Sequence, residues 1–229
     1  MVEAKGSTPD LKRAYNLYSR VYGPLVAQME KKSRLRALDL AGISASDRVL
    51  EVAVGSGNTF LEMAQRRGTS VGLTGLDLSP RMLEVTRRRL SRKGFSGVDL
   101  REGDARHLPF PDGKFDVLFN SYMLDLVPLR ELGTVLREFD RVLGPGGRLI
   151  LVNMSKRDPS EPSWYERFYQ STPAWFATFL LGGCRPVVME HMVREMGYVG
   201  IRREFHAFPM FSEIIIGEKG HDRTKTGLR

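Results

Sequence analysis

The sequence predicts an α/β fold: a mostly parallel sheet with helices on both faces. Strand-like apolar runs alternate with helix-period segments across residues 48–154, a glycine-rich turn follows the first run, and the last two strands are parted only by Phe208-Pro209. Alternating strands and helices imply right-handed crossovers, which make neighbouring strands parallel and bury them under helices on both sides. The final two strands have no room for a crossover and can pair only as an antiparallel hairpin. The expected architecture is a seven-stranded sheet, parallel except at its C-terminal hairpin.

In chain order, residues 9–42 read as helical, with Leu11, Tyr15, Tyr18, Val21 and Tyr22 giving an amphipathic first segment; residues 1–42 are expected to form an N-terminal cap. Arg48–Val54 (RVLEVAV) is a buried strand ending in a Gly-Ser-Gly turn, and Thr59–Arg67 is the helix after it. Ser70–Leu78 is a strand and Pro80–Lys93 a helix, with Ser79 as N-cap and Pro80 in the first helical position. Val98–Glu102 and Phe115–Ser121 (FDVLFNS) are strands, followed by a helix over Leu129–Leu143, a sharp turn at Gly144–Gly147 (GPGG) and a fifth strand at Arg148–Met154 (RLILVNM). Residues 155–186 hold an aromatic insertion, Trp164 to Leu181. A helix near Val187–Met196 and strands Tyr198–Ala207 and Met210–Gly217 follow, and 219–229 read as a frayed tail. With no internal repeat and no low-complexity linker, the 229 residues are expected to make one domain.

Composition narrows the function classes. With 41% hydrophobic and 27% charged residues, the chain can bury a proper core. The one cysteine, Cys184, leaves no internal disulfide framework, fits a reducing cytoplasm and reads as a small buried residue. His107, His191, His206 and His221 show no ligand spacing, so no metal is expected. The first 20 residues hold no apolar run of the signal-peptide kind, and the greasiest stretch, Pro173–Gly183 (PAWFATFLLGG), is far below the roughly 20 residues that span a bilayer. A net charge of +8, with clusters at Lys31–Arg36, Arg87–Arg92 and Lys219–Arg229, invites a polyanion or a membrane surface as partner, with solvated helix faces as the plain alternative.

The chemistry starts at Glu51-Val52-Ala53-Val54-Gly55-Ser56-Gly57-Asn58. A strand that runs into a small-residue turn and then a helix lets a ligand approach the backbone and meet the unpaired N–H groups of the helix N-terminus. The spacing is not G-x-G-x-x-G, and no G-x-x-x-x-G-K-[ST] occurs, so neither a dinucleotide nor a triphosphate site is indicated. Asp77, 20 residues after Gly57, stands at the end of the second strand, where a carboxylate can accept two ribose hydroxyls at once. Turn and acid together indicate an adenosine-containing ligand, with a plain strand–helix turn and a capping Asp as the alternative. Gly103-Asp104-Ala105 ends the third strand, where an Asp can accept from an adenine amine or simply serve the turn.

Taken together, VLEVAVGSGN (49–58), GLDLSPRML (75–83), GDARHLPFPDGKFDV (103–117) and LREFDRVLGPGGRLILV (136–152) resemble the Rossmann-like class I S-adenosylmethionine-dependent methyltransferases, most closely the ubiquinone/menaquinone-biosynthesis group and its phospholipid N-methylating relatives. The resemblance implies S-adenosylmethionine as cofactor and S-adenosylhomocysteine as product. It puts Ala53, Gly55, Ser56 and Gly57 under the methionine part, with Glu51 and Asn58 also on the cofactor, and Asp77 on the ribose. Leu78 and Met82 would flank adenine, Asp104 and Ala105 would meet its amino edge, and Asn120, Ser121 and Tyr122 would line the floor where cofactor meets acceptor. YNLYSRVYGP (15–24) resembles the group's Tyr-rich cap, which puts Tyr15, Tyr18 and Tyr22 near the site, Tyr18 on the cofactor and Tyr22 on the acceptor. Ala53 and Val54 depart from the family, standing where many members have glycine. No Asn-Pro-Pro-aromatic motif follows Asn120, which argues against a nucleic-acid substrate.

Methyl transfer from a sulfonium is an in-line displacement in which positive charge disappears, so alignment and exclusion of water count most. Alignment is worth roughly 7–11 kcal/mol, and a positioned base adds about 10²–10⁴-fold. The insertion, with Trp164, Tyr165, Phe168, Tyr169, Trp175, Phe176, Phe179, Leu180 and Leu181, predicts an apolar lid with Trp164 and Tyr169 on the acceptor, or else a helix packed on the core. Asp125 and His191 are the candidate bases, and Arg185 could steer an anionic acceptor. The expected function is methylation of a small apolar acceptor, a quinol-type ring or a lipid headgroup. Two alternatives stand beside it: methylation of RNA or another polyanion, which predicts salt-sensitive binding, and S-adenosylmethionine binding without catalysis. The leading reading expects no nucleic acid, leaves a peripheral membrane contact open and does not indicate an oligomeric state.

Overall fold

The computed structural model describes residues 1–5, 23–158, 160–179 and 183–221. Strands β1 (Val49–Val52), β2 (Leu73–Asp77), β3 (Asp99–Glu102), β4 (Phe115–Ser121) and β5 (Leu143–Met154) pair in parallel, and β6 (Tyr198–His206) and β7 (Ser212–Lys219) add an antiparallel hairpin. The sheet order is β3-β2-β1-β4-β5-β7-β6. The chain therefore winds outward from β1 to β3 and then returns to the other side of β1. That reversal opens a crevice at the C-terminal ends of β1 and β4, where doubly wound sheets bind ligands.

The described helices are α1 (Gly23–Ala41), α2 (Asn58–Arg67), α3 (Pro80–Ser91), α4 (Leu129–Val142), α5 (Trp164–Ser171), α6 (Ala174–Phe179) and α7 (Glu190–Glu195). Alternation along the strands sends side chains to two cores. Leu50, Val52, Leu118, Leu149 and Leu151 pack against Leu132, Val135, Leu136, Phe139 and Val142, the single apolar stripe of α4. Val49, Val117, Phe119, Ile150 and Val152 pack on the opposite face against Ala37, Leu38 and Ala41 of α1 and Phe60, Met63 and Ala64 of α2. The seven-stranded sheet with helices on both faces is thus the one the sequence predicts.

Local signals hold where they are stereochemical. Ser79 caps α3, its Oγ accepting from the Met82 amide at 3.3 Å, with Pro80 at the first position. Elsewhere boundaries move. The first strand ends at Val52 rather than Val54, because Ala53 turns away with φ 61°. The GPGG segment does not precede the fifth strand but bulges within it: Phe115 pairs with Leu143 and Val117 with Arg148, so residues 144–147 loop out. The β6–β7 connection is wider than Phe208-Pro209, since His206 pairs with Ser212; the Phe208-Pro209 bond is cis. Lys219, assigned to the tail from sequence, ends β7 with Nζ donating to the carbonyls of Asp140 and Leu143. Tyr15, Tyr18 and Tyr22 of the expected cap, Leu180 and Leu181 of the insertion and the tail beyond His221 lie outside the described residues.

Candidate functional site

A cavity of 1130 Å³ opens at the C-terminal ends of β1, β2 and β4. Its polar end is made by the turn after β1. Ala53, Gly55 and Gly57 all take left-handed backbone, at φ 61°, 54° and 74°, so the chain reverses within five residues. Gly57 has no alternative, because a Cβ there would sit 2.6 Å from Thr86 Cγ2. Thr86 in turn donates to the Gly55 carbonyl at 2.8 Å and ties the turn to α3. Ala53 adopts the same conformation with a side chain, at a cost of about 1–2 kcal/mol.

Asp77 closes this end. One carboxylate oxygen accepts from the Gly55 amide at 2.8 Å, the other from the Ser79 amide at 2.9 Å. These two bonds leave the carboxylate further acceptor capacity, which is what a vicinal diol requires. Burial pushes the Asp77 pKa up, and the Ser79, Gly55 and Leu78 amides pull it back. Glu51 also lines the cavity; it is buried, its Oε2 accepts no hydrogen bond, and burial holds its pKa well above the usual carboxylate range against the pull of Arg34. An orphaned carboxylate oxygen at the polar end suits a cationic group such as an ammonium.

Of the residues expected on the cofactor, Ala53, Gly55, Ser56, Asn58, Leu78, Met82, Asp104, Ala105, Ser121 and Tyr122 line the same cavity. Gly57 and Asn120 stand behind the wall instead. Asn120 is fully buried and donates to the Val52 carbonyl at 2.9 Å, bracing β1 against β4. Asp104 is engaged by Arg106, which donates to it from its backbone amide and from Nε, both at 2.9 Å, while Arg106 Nη1 reaches Glu131 at 2.9 Å. That ion pair holds the Asp104 pKa below its usual value.

The other end is apolar. Met123, Leu126, Val127, Met154, Tyr165, Met210 and Phe211 line it, drawn from the β4–α4 loop, the end of β5, α5 and the β6–β7 loop. Here most single-residue expectations are corrected. Arg185 does not face an acceptor: it is fully buried, and its guanidinium donates to the carbonyls of Asp125 at 2.9 Å and Val127 at 2.5 Å, bracing the β4–α4 loop. Tyr169 is fully buried too, its hydroxyl accepting from the Lys5 amide at 3.1 Å and donating to the Gly183 carbonyl at 3.2 Å. Trp164 is 66% exposed and packs edge-on against Tyr165 at 5.7 Å; among the described residues, Tyr165 is the aromatic of the insertion that reaches the cavity. His191 is exposed on α7 and is no part of the cavity wall. Asp125 is fully buried one position from Leu126 and outside the lining, with its pKa pushed up to about 7 by burial against the pull of Arg185.

Among the cavity residues that escaped sequence reasoning, two are charged and paired with each other. Glu30 and Arg34 of α1 form an ion pair at 2.7 Å, with side chains only 13% and 11% exposed. Burial pushes the Glu30 pKa up to about 7, Arg34 draws it down, and the charge of Asp125 raises it further. Glu30 also acts on Tyr122, at the floor of the cavity. The only signal in the sequence is an i, i+4 Glu–Arg spacing, which is ordinarily a solvated surface pair.

Residues 49–147 match the family model described as a methyltransferase domain. A demethylmenaquinone methyltransferase from Listeria monocytogenes serotype 4a is 34% identical over 151 residues, which are 66% of this chain and 62% of that protein. The Bacillus subtilis demethylmenaquinone methyltransferase is 31% identical over 144 residues, 63% of this chain and 61% of that protein. The chain thus spans about three fifths of the curated relatives it matches. Among solved structures, a SAM-dependent methyltransferase from Thermotoga maritima superposes with a TM-score of 0.65 at 22% identity, over 93% of this chain and all of that one. The chain is similar in sequence to methyltransferases and shares a fold with solved ones.

Proposed function

We propose that this chain is a class I methyltransferase that moves a methyl group from S-adenosylmethionine to a small apolar acceptor, a quinol-type ring or a lipid headgroup. One observation carries the reading: a single cavity joins the glycine turn and Asp77 at one end to an apolar chamber at the other. The residues fit the cofactor. Asp77 keeps lone pairs for the ribose hydroxyls, Glu51 offers an unpartnered carboxylate oxygen to the methionine ammonium, and Leu78 and Met82 offer apolar faces to adenine.

When bound, S-adenosylmethionine supplies an electrophilic methyl carbon; the acceptor's electron pair forms the new bond as the carbon–sulfur bond breaks. The chain's part is to align the two and keep water out, for which Leu126, Met154, Tyr165 and Phe211 serve. A phenol or an acidic carbon must also lose a proton. Glu30, one of the carboxylates on the cavity, is the base we assign to take it, held by Arg34, with Asp125 as a reserve of negative charge behind the wall. No described helix is long and apolar enough to cross a membrane; a cytoplasmic setting with peripheral contact to a membrane completes the reading, in keeping with one cysteine and an apolar acceptor.

The experiment is transfer of labelled methyl from S-adenosylmethionine into a fractionated cell extract, counting organic, nucleic-acid and protein phases separately. Label in the organic phase supports the proposal. Label in nucleic acid overturns the acceptor class, and no label despite measured binding of S-adenosylhomocysteine overturns the enzyme.

A further inference from the structure

Exposed aromatic rings are costly in water, and contiguous ones mark interaction surfaces. Among the described residues the exposed aromatic side chains are Trp164, Phe168 and Trp175 on α5 and α6, and Phe208 and Phe211 in the β6–β7 loop. All five sit on the two segments that also supply Tyr165 and Met210 to the cavity wall. On the first segment the rings run continuously outward. Tyr165 meets Phe168 at 6.4 Å, Phe168 meets Phe176 at 6.4 Å, and Phe176 meets Trp175 at 5.8 Å. On the second, Phe211 stacks on Phe205 at 6.4 Å, and Phe205 lies under the Arg157 guanidinium at 5.8 Å. Arg157 and Arg167 are exposed on the same rim, in a chain of net charge +8.

We propose that this aromatic rim docks on an anionic lipid bilayer, with the rings at headgroup depth and the cavity mouth facing the membrane. Tryptophan suits that depth because its ring is apolar and its N–H remains hydrated. The positive charge complements anionic headgroups, and basic side chains near such a surface add to the attraction. A second copy of the chain fits less well, since two aromatic tips flank an opening rather than form one flat patch, and covering them would seal the cavity. A bilayer instead leaves the mouth in contact with an apolar phase that holds the acceptor. The surface rests on the reading of this cavity as an acceptor site, but lipid binding itself requires no turnover.

Trp164 and Trp175 are the two tryptophans of the chain, so intrinsic fluorescence reports on the rim alone. Phosphatidylcholine vesicles containing phosphatidylglycerol should shift the emission to the blue, brominated acyl chains should quench it, and added salt should weaken both effects. Phe168→Ser combined with Phe208→Ser keeps both reporters and should lower the affinity for vesicles about tenfold or more; Phe208 is 78% exposed, so its replacement leaves the core intact. Three results overturn the surface: no co-sedimentation with these vesicles, co-sedimentation with unchanged emission, or a blue shift that follows protein concentration without lipid. Vesicle binding without methyl transfer would sink the proposed function and leave the surface standing; transfer without vesicle binding would do the reverse.

Discussion

At the polar end of the cavity the wall is set by a turn of left-handed residues and by Asp77, whose oxygens hold the Gly55 and Ser79 amides. At the apolar end the wall comes from side chains on the β4–α4 loop, the end of β5, α5 and the β6–β7 loop, segments spread between residues 123 and 211. Loss of one local feature should cripple the first end, because its geometry is set within a few residues. The second end has no single point of failure in its wall. The contrast teaches that a common cofactor is met by an inflexible local motif, and a particular acceptor by parts that can be exchanged.

The largest effect should come from the proposed base. Glu30→Gln is expected to lower kcat by about 10²–10⁴-fold with affinity for S-adenosylhomocysteine unchanged in calorimetry. In the unaltered chain kcat should rise with pH through about 7 as Glu30 loses its proton, and this limb should vanish in the variant; equal losses of kcat and cofactor affinity would erase the division between the two ends. Gly57→Ala drives a methyl into Thr86 from a left-handed backbone, and should cost about 2–4 kcal/mol in denaturant unfolding. Asp77→Ala should weaken cofactor binding about 100-fold, since two charge-assisted hydrogen bonds are lost; unchanged affinity would refute the ribose assignment. Ala53→Gly should have the smallest effect, a gain of about 1 kcal/mol in stability with cofactor affinity retained. Stability itself should fall as pH rises between about 4 and 7. Glu30 and Asp125 keep their protons to about 7 when folded and release them near the ordinary carboxylate value when unfolded, so the folded state holds more protons across that window.

The polar end was legible in the sequence because its parts are local. Ser79-Pro80, the Gly55–Gly57 turn and Asp77 each follow from stereochemistry or from position at a strand end, and Asn58, Leu78, Met82, Asp104 and Ala105 come with them. The apolar end was not. Arg185, read as facing a ligand, spends its guanidinium on backbone carbonyls; Tyr169 is committed to Lys5 and Gly183; and Tyr165, one residue from Trp164, reaches the cavity in its place. Which face of a short helix turns inward depends on tertiary packing that period alone does not encode. Glu30 and Arg34 escaped for the same reason: only the fold turns an ordinary helical ion pair toward a cavity.

In the proposed site the Arg106–Asp104 pair gives adenine recognition an unusual character. Asp104 already takes hydrogen bonds from the backbone and guanidinium of Arg106, which is itself anchored on Glu131. An amine arriving there does not find a bare acceptor; it must trade places with a guanidinium N–H. Selectivity at that edge is then a competition between a resident donor and a visiting one, so a ligand with a single poorly aimed N–H is refused by a site that never stood open.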